Sequence, residues 1–287
     1  MEIKRNLKIF AEMGVGLTAV AALMLVGCGG GGGGTKASVA TTTTKVIPFK
    51  GKFTSGKVTL LDASGDTVQL LNGSGSIDAS GVASVTFDSS VKYPLIVEVA
   101  GTYYNEVTGA SESSATPIRS IITDPNVATY PDGVGVTAIT EIAVAGLEHK
   151  LGGFSQNDPI SAASAVTEID GAESLIGKNH STMTVPVFDA GGHTNDPDTL
   201  RLAALSIVAS NGAAPGNTLA DDVRDLARTF ALNQASAPTA IITQGELDAA
   251  LAAVNGGKSS IDISGSVSET FTLPASSIAA TEAANHH

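Results

Sequence analysis

The sequence predicts an α+β protein, with an antiparallel β-sandwich domain over residues 46–130 followed by an α-helical bundle domain over residues 134–257. Three observations predict it. Turn residues recur about every 8–12 residues between 46 and 130, the spacing of short strands in a sandwich or small barrel. From 134 the hydrophobic period moves from two towards about 3.6. Two Asp-Pro pairs, Asp158-Pro159 and Asp196-Pro197, carry the start signature of helices: an acidic cap, then a proline whose missing N–H costs nothing in the first turn.

The strand candidates come first. Val58-Thr59-Leu60-Leu61 is followed by the turn residues Asp62-Ala63-Ser64-Gly65-Asp66. Thr67-Val68-Gln69-Leu70-Leu71 is the next strand, ended by Asn72-Gly73. A second Asp-Ala-Ser-Gly, at 78–81, reads as another copy of a common turn rather than an internal repeat. Val82, Val85 and Phe87 lie on a further extended run, and Leu95-Ile96-Val97-Glu98-Val99 after Pro94 is the strongest strand. Tyr103 and Tyr104 invite a sugar-binding reading. The plainer reading is one ring on the sheet face and a turn at Thr108-Gly109, since strand alternation sends the two tyrosines to opposite faces.

The helical region starts with Ile139, Ile142, Ala143 and Leu147 on one face, capped by Thr137. Ala162, Val166 and Ile169 follow the first Asp-Pro pair. Leu200, Leu202, Leu205, Ile207 and Val208 follow the second and are apolar almost all round, as a buried helix requires. Thr218 caps the next helix, with Leu219, Val223, Leu226 and Phe230 inside and the pairs Asp221–Arg224 and Asp225–Arg228 outside. Thr243-Gln244-Gly245-Glu246 matches a capping box before Leu247, Ala250, Leu251 and Val254. Beyond it, residues 258–287 read as a returning strand or hairpin around Ile261 and Phe271, then a disordered tail.

Composition narrows the function. The chain is 43% hydrophobic but only 4% aromatic, with no Trp, so Val, Ile, Leu and Ala must build the core. The formal net charge is -12, and the first 27 residues are themselves basic in balance, through Lys4, Arg5 and Lys8. Nucleic acid is excluded as a partner, because phosphates need clustered cations. A single cysteine excludes an internal disulfide and Cys-rich zinc sites.

That cysteine carries the most specific signal. A charged start and an apolar stretch over 13–26 have the form of a secretory signal over residues 1–27. Leu25-Val26-Gly27-Cys28 ends it and resembles the lipobox of bacterial lipoproteins. The resemblance implies a diacylglycerol on the sulfur of Cys28 and cleavage just before it. Two or more acyl chains anchor stably where one does not. Six glycines follow at 29–34, so residues 28–45, including the threonines at 41–44, are expected to form a tether. Gly29 stands where Asp would favour inner-membrane retention, which implies the outer membrane.

Two further resemblances concern architecture. Gly56-Lys57-Val58-Thr59-Leu60, the turn ending in Gly65, and Asp78-Ala79-Ser80-Gly81 resemble carboxypeptidase-regulatory-like and immunoglobulin-like β-sandwich modules. Such modules bind, space or support, and no catalytic residue is carried over. Val136 to Ala143, Thr184-Val185-Pro186-Val187, Leu202 to Ser206 and Leu219-Ala220-Asp221-Asp222 resemble bacterial surface lipoproteins with a helical module after the sandwich. Asp225 is followed by Leu226 where that class often has glycine, so a loop built on those glycines is not expected here.

No Gly-x-Ser-x-Gly elbow occurs. Ser89-Ser90-Val91-Lys92 lacks a companion Lys-Thr-Gly, and Gly257-Lys258-Ser259 lacks the first glycine of a phosphate loop. His149, His180 and His193 have no zinc spacing. Asp189, Asn195, Asp196 and Asp198 crowd one loop with the hard oxygens that suit calcium. The plainer reading is that Asp196 caps a helix and the others are solvated. The sequence therefore predicts lipidation at Cys28 and no catalytic residue, metal or cofactor. The expected role is non-enzymatic binding, adhesion or structure in the cell envelope, with the membrane, an envelope protein or a polysaccharide as partner. An enzyme acting on envelope polymers and an accessory subunit of a transport or assembly complex are the alternatives.

Overall fold

The computed structural model describes residues 39–105, 110–173, 180, 185–187, 196–211, 216–236, 249–250 and 252. The described residues fall in one compact unit. The fold is mixed α+β, with two sheets and five helices among the described residues. The first sheet has β1 (Thr41–Pro48) at its centre, antiparallel to β4 (Ala83–Asp88) and parallel to β7 (Val134–Val136). The second holds β2 (Phe53–Leu61), β3 (Thr67–Val68), β5 (Leu95–Tyr104) and β6 (Ser111–Ile122), antiparallel throughout in the order β3-β2-β5-β6.

The threonines at 41–44, expected in the tether, are the first half of β1. β-Branched side chains suit a pleated surface, and Thr41 to Val46 pair with Asp88 to Ala83. Both Asp-Ala-Ser-Gly segments make the same turn. Asp62 accepts from the N–H groups of Ser64 and Asp66, and Asp78 from those of Ser80 and Val82. The strand expected over 67–71 pairs with β2 only at Thr67 and Val68. The chain then crosses to the other sheet, where Leu71 N–H donates to the Thr86 carbonyl at 2.6 Å and Asn72 bonds Ser84 and Thr86 along the edge of β4.

In β4, Ala83, Val85 and Phe87 are buried at a period of two. In β5, Leu95, Ile96 and Val97 are all buried, so both faces of the second sheet are covered there. Strands β2 and β5 approach closely at Gly56 and Gly101, which are register partners. A Cβ on Gly101 would overlap the Ser55 carbonyl and the Gly56 Cα.

After α1 (Pro125–Ala128), capped by Asp124, come the longer helices α2 (Ala138–Leu151), α3 (Ala162–Glu173), α4 (Pro197–Asn211) and α5 (Leu219–Ser236). The expected caps Thr137, Asp196 and Thr218 sit where the spacing places them. Helix α3 starts at Ala162 rather than at Pro159. Ile160 N–H is tied to the Ala63 carbonyl at 2.8 Å, which holds the chain extended until Ser161 caps the helix through Ser164 N–H.

Helix α2 was expected to bury one face, yet every residue from Ala138 to Leu147 is buried. It packs against β6, α3, α4 and α5. Small residues allow this: Gly146 lies against the Glu168 carboxylate of α3. Helix α4 is buried all round from Leu202 to Ala209, as its composition predicts. Buried apolar side chains from both sheets and the helices form one cluster. The capping box at 243–246 and the strand expected near 261–273 lie outside the described residues.

Gly101→Val should cost about 3 kcal/mol or more, because overpacking at a backbone contact cannot relax through a side chain. Urea unfolding of the two proteins measures this.

Candidate functional site

Cys28, Asp189, His193 and Asn195 lie outside the described residues. Among the sequence candidates that are described, most are engaged structurally. Asp196 caps α4 through Thr199, and Asp198 pairs with Arg201 at 2.7 Å. His180 Nδ1 lies 2.8 Å from Asp170. Tyr103 is buried and Tyr104 exposed, as alternation requires. No group of three or more His, Cys, Asp or Glu side chains that could hold a metal occurs among the described residues.

The densest chemistry lies where the outer face of the second sheet meets α2 and α5. Glu98 and Arg119 are register partners on β5 and β6. The Arg119 side chain is 2% exposed and that of Glu141 on α2 is fully buried. Arg119 Nη2 donates to Glu141 Oε1 at 2.7 Å, and Nε reaches both carboxylate oxygens at 3.1 and 3.2 Å. The same Nη2 donates to Glu148 Oε2, two turns along α2, at 2.9 Å. From α5, Arg224 Nε approaches Glu141 Oε1 to 3.7 Å. Arg224 thus faces the core rather than an outer partner. Asp221, its expected partner, instead binds the N–H and hydroxyl of Thr218.

This cluster contains three of the chain's five arginines: Arg119, Arg224 and Arg228. Arginine suits it, because the planar fork bonds a carboxylate in two places at once. Burial alone would lower the pKa of Arg119, but the Glu141 and Glu148 carboxylates outweigh it and raise it. Burial pushes the Glu148 carboxyl up, yet the Arg119 hydrogen bond and charge, with Arg224 and Arg228, hold it below the usual range. Glu98 makes no such close contact. Burial raises its pKa, against the weaker pull of Arg119 and Arg224.

A second network holds the start of α5. Tyr103 Oη and Asn105 Nδ2 donate to the two oxygens of Glu112 at 2.9 and 2.6 Å. Leu219 N–H donates to Glu112 at 3.4 Å and Ala220 N–H to Tyr103 Oη at 3.3 Å. A carboxylate is favoured at a helix N-terminus, where N–H groups are unpaired. Lys50, fully buried, donates to the Leu219 carbonyl at 2.8 Å. The space between Lys50, Tyr103 and Ala220 has no room for a water molecule. Burial raises the pKas of Tyr103 and Asp222 here.

An open cleft of about 340 Å³ adjoins the arginine cluster at the C-terminal end of α2, lined by Ala145, Glu148, His149, Gly152, Gly153 and Arg228. Neither the buried pair nor the cleft was visible in the sequence. The only signal was local: Arg224 and Arg228 share a helix face, and Glu141 and Glu148 are seven residues apart.

Removing one member of a buried pair strands the other charge. Arg119→Met should therefore cost about 3–5 kcal/mol, and the double variant Arg119→Met with Glu141→Leu should cost less than the single one. Glu98→Gln should act oppositely. The folded-state pKa of Glu98 is raised, so the stability it contributes is present below the unfolded pKa and lost as pH rises through the folded one. The variant should be more stable than the parent at pH 7 and equal to it near pH 4, as read by urea unfolding at the two pH values. Comparison of the chain with protein-family models, with curated proteins and with solved structures finds no match.

Proposed function

We propose that the protein is an exported lipoprotein, anchored in the cell envelope by lipid on Cys28 and serving a non-enzymatic binding, adhesion or structural role at the cell surface. The observation that carries this reading is Leu25-Val26-Gly27-Cys28 directly after the apolar stretch, with the chain's single cysteine at its end. The fold is read as a β-sandwich module followed by helices packed on its outer face. Coverage of both faces of β5 supports this reading, as does the packing of α2 on β6 and of α5 on α2.

Two further observations support a non-enzymatic role. The buried charges of Arg119 and Glu141 are spent on each other, and Arg119 also bonds Glu148. The Lys50–Tyr103–Glu112 network closes on the start of α5 without a water-sized space. No helix among the described residues is long and apolar enough to cross a membrane. Gly29, where Asp would favour inner-membrane retention, supports the outer membrane in this reading.

Radiolabelled palmitate should enter the parent protein and not Cys28→Ser, and the mature protein should begin at Cys28 by mass spectrometry. Cys28→Ser should leave the membrane fraction. An unlabelled parent, or a variant that stays with membranes after a carbonate wash, contradicts the reading.

A further inference from the structure

The cleft beside the arginine cluster presents opposite charges from two helices. Glu148 lines it from α2 and Arg228 from α5, with His149 beside them. We propose that this cleft binds a small zwitterion of the amino-acid type, its carboxylate on Arg228 and its ammonium on Glu148. The inference rests on the junction of α2, α5 and β6 and is independent of how the chain is anchored.

Four features carry it. The volume, about 340 Å³, lies at the small end of ligand pockets and suits an amino acid or dipeptide. Glu148 is already held in place by Arg119 at 2.9 Å, so binding need not immobilise it. Its charge is kept by Arg119, and the carbonyls ending α2 add negative potential where an ammonium would sit. Arg228 is exposed, and its fork matches a carboxylate in two hydrogen bonds.

The floor of the cleft is open for a physical reason. Helix α2 ends with Gly152 in the left-handed conformation at φ 67°, its N–H bonded to the Glu148 and His149 carbonyls. Gly153 follows at φ 109°. A Cβ at either position would meet nothing within 4 Å, so the backbone there faces empty space. A ligand with only one charge would satisfy one wall and face its like charge on the other.

The test is isothermal titration calorimetry on the full chain in detergent, with glycine, L-alanine, L-glutamate, L-lysine and alanyl-alanine as zwitterions and acetate and methylamine as single-charge controls. At least one zwitterion should bind, and both controls should bind at least about tenfold more weakly. Arg228→Gln should weaken that binding by about tenfold or more while moving the unfolding midpoint far less than Arg119→Met does, because Arg228 is exposed and outside the buried pair. No heat from any zwitterion, acetate binding as tightly as the zwitterions, or unchanged binding by Arg228→Gln overturns the proposal. None of these outcomes bears on palmitate incorporation at Cys28.

Discussion

The structure depends on one buried ion pair, Arg119 with Glu141, which joins a sheet to a helix. Two charges out of water carry a desolvation penalty of several kcal/mol each, and only close, multiple hydrogen bonds offset it. Here three donor contacts at 2.7–3.2 Å do so, and Glu148 takes a fourth. Such a pair adds little net stability over an apolar contact of the same shape. What it adds is placement. Helix α2 can rotate or slide on β6 only by stranding Glu141. Thr140 strengthens the fix, since its hydroxyl donates to the Arg119 carbonyl at 2.8 Å while closing the capping box with Thr137. The end of the sheet and the start of the helix thus share one knot of hydrogen bonds.

Helix α5 is then placed twice. Its first turn sits on Glu112 and Tyr103, with Lys50 on the Leu219 carbonyl. One turn further along, Arg224 faces the same Glu141 that Arg119 holds. Fixing a helix at two points sets its rotation as well as its position, and that rotation brings Arg228 to the cleft. The cleft's charges are therefore arranged by the packing that holds the sheet to the helices. A chain with 28 acidic and 16 basic side chains has concentrated three of its five arginines at this one junction.

How much of this could be read beforehand depended on range. Caps and turns were legible because their hydrogen bonds close within four residues: Thr137, Thr218, Asp196, and the paired Asp62 and Asp78 turns. Alternation separated Tyr103 and Tyr104 onto opposite faces for the same reason, and the fold decides that Tyr103 is the buried one. Strand β1 was hidden at 41–44 because four polar threonines read as tether, and only β4, some forty residues on, makes them a strand. Helix α2 looked one-sided because Glu141 and Thr140 are polar. Their burial follows from Arg119, twenty-odd residues upstream and on another element. The inward turn of Arg224 has the same origin, since an i,i+3 partner on its own helix was the only one visible in sequence. The candidate site was illegible throughout, because each of its contacts crosses between elements. The proposed lipobox is of the opposite kind: it rests on four consecutive residues, Leu25 to Cys28, and on no contact between elements.

If the Arg119–Glu141 pair makes sheet and helices one cooperative body, native-state hydrogen exchange should show it directly. Amides of α2 between Ile139 and Leu147 should open with the same free energy as those of β5 and β6, in a single cooperative unit. Amides of α2 exchanging through a lower-energy opening while the β5–β6 ladder stays protected would contradict the account, because the helix would then leave the sheet without breaking the bond said to hold it.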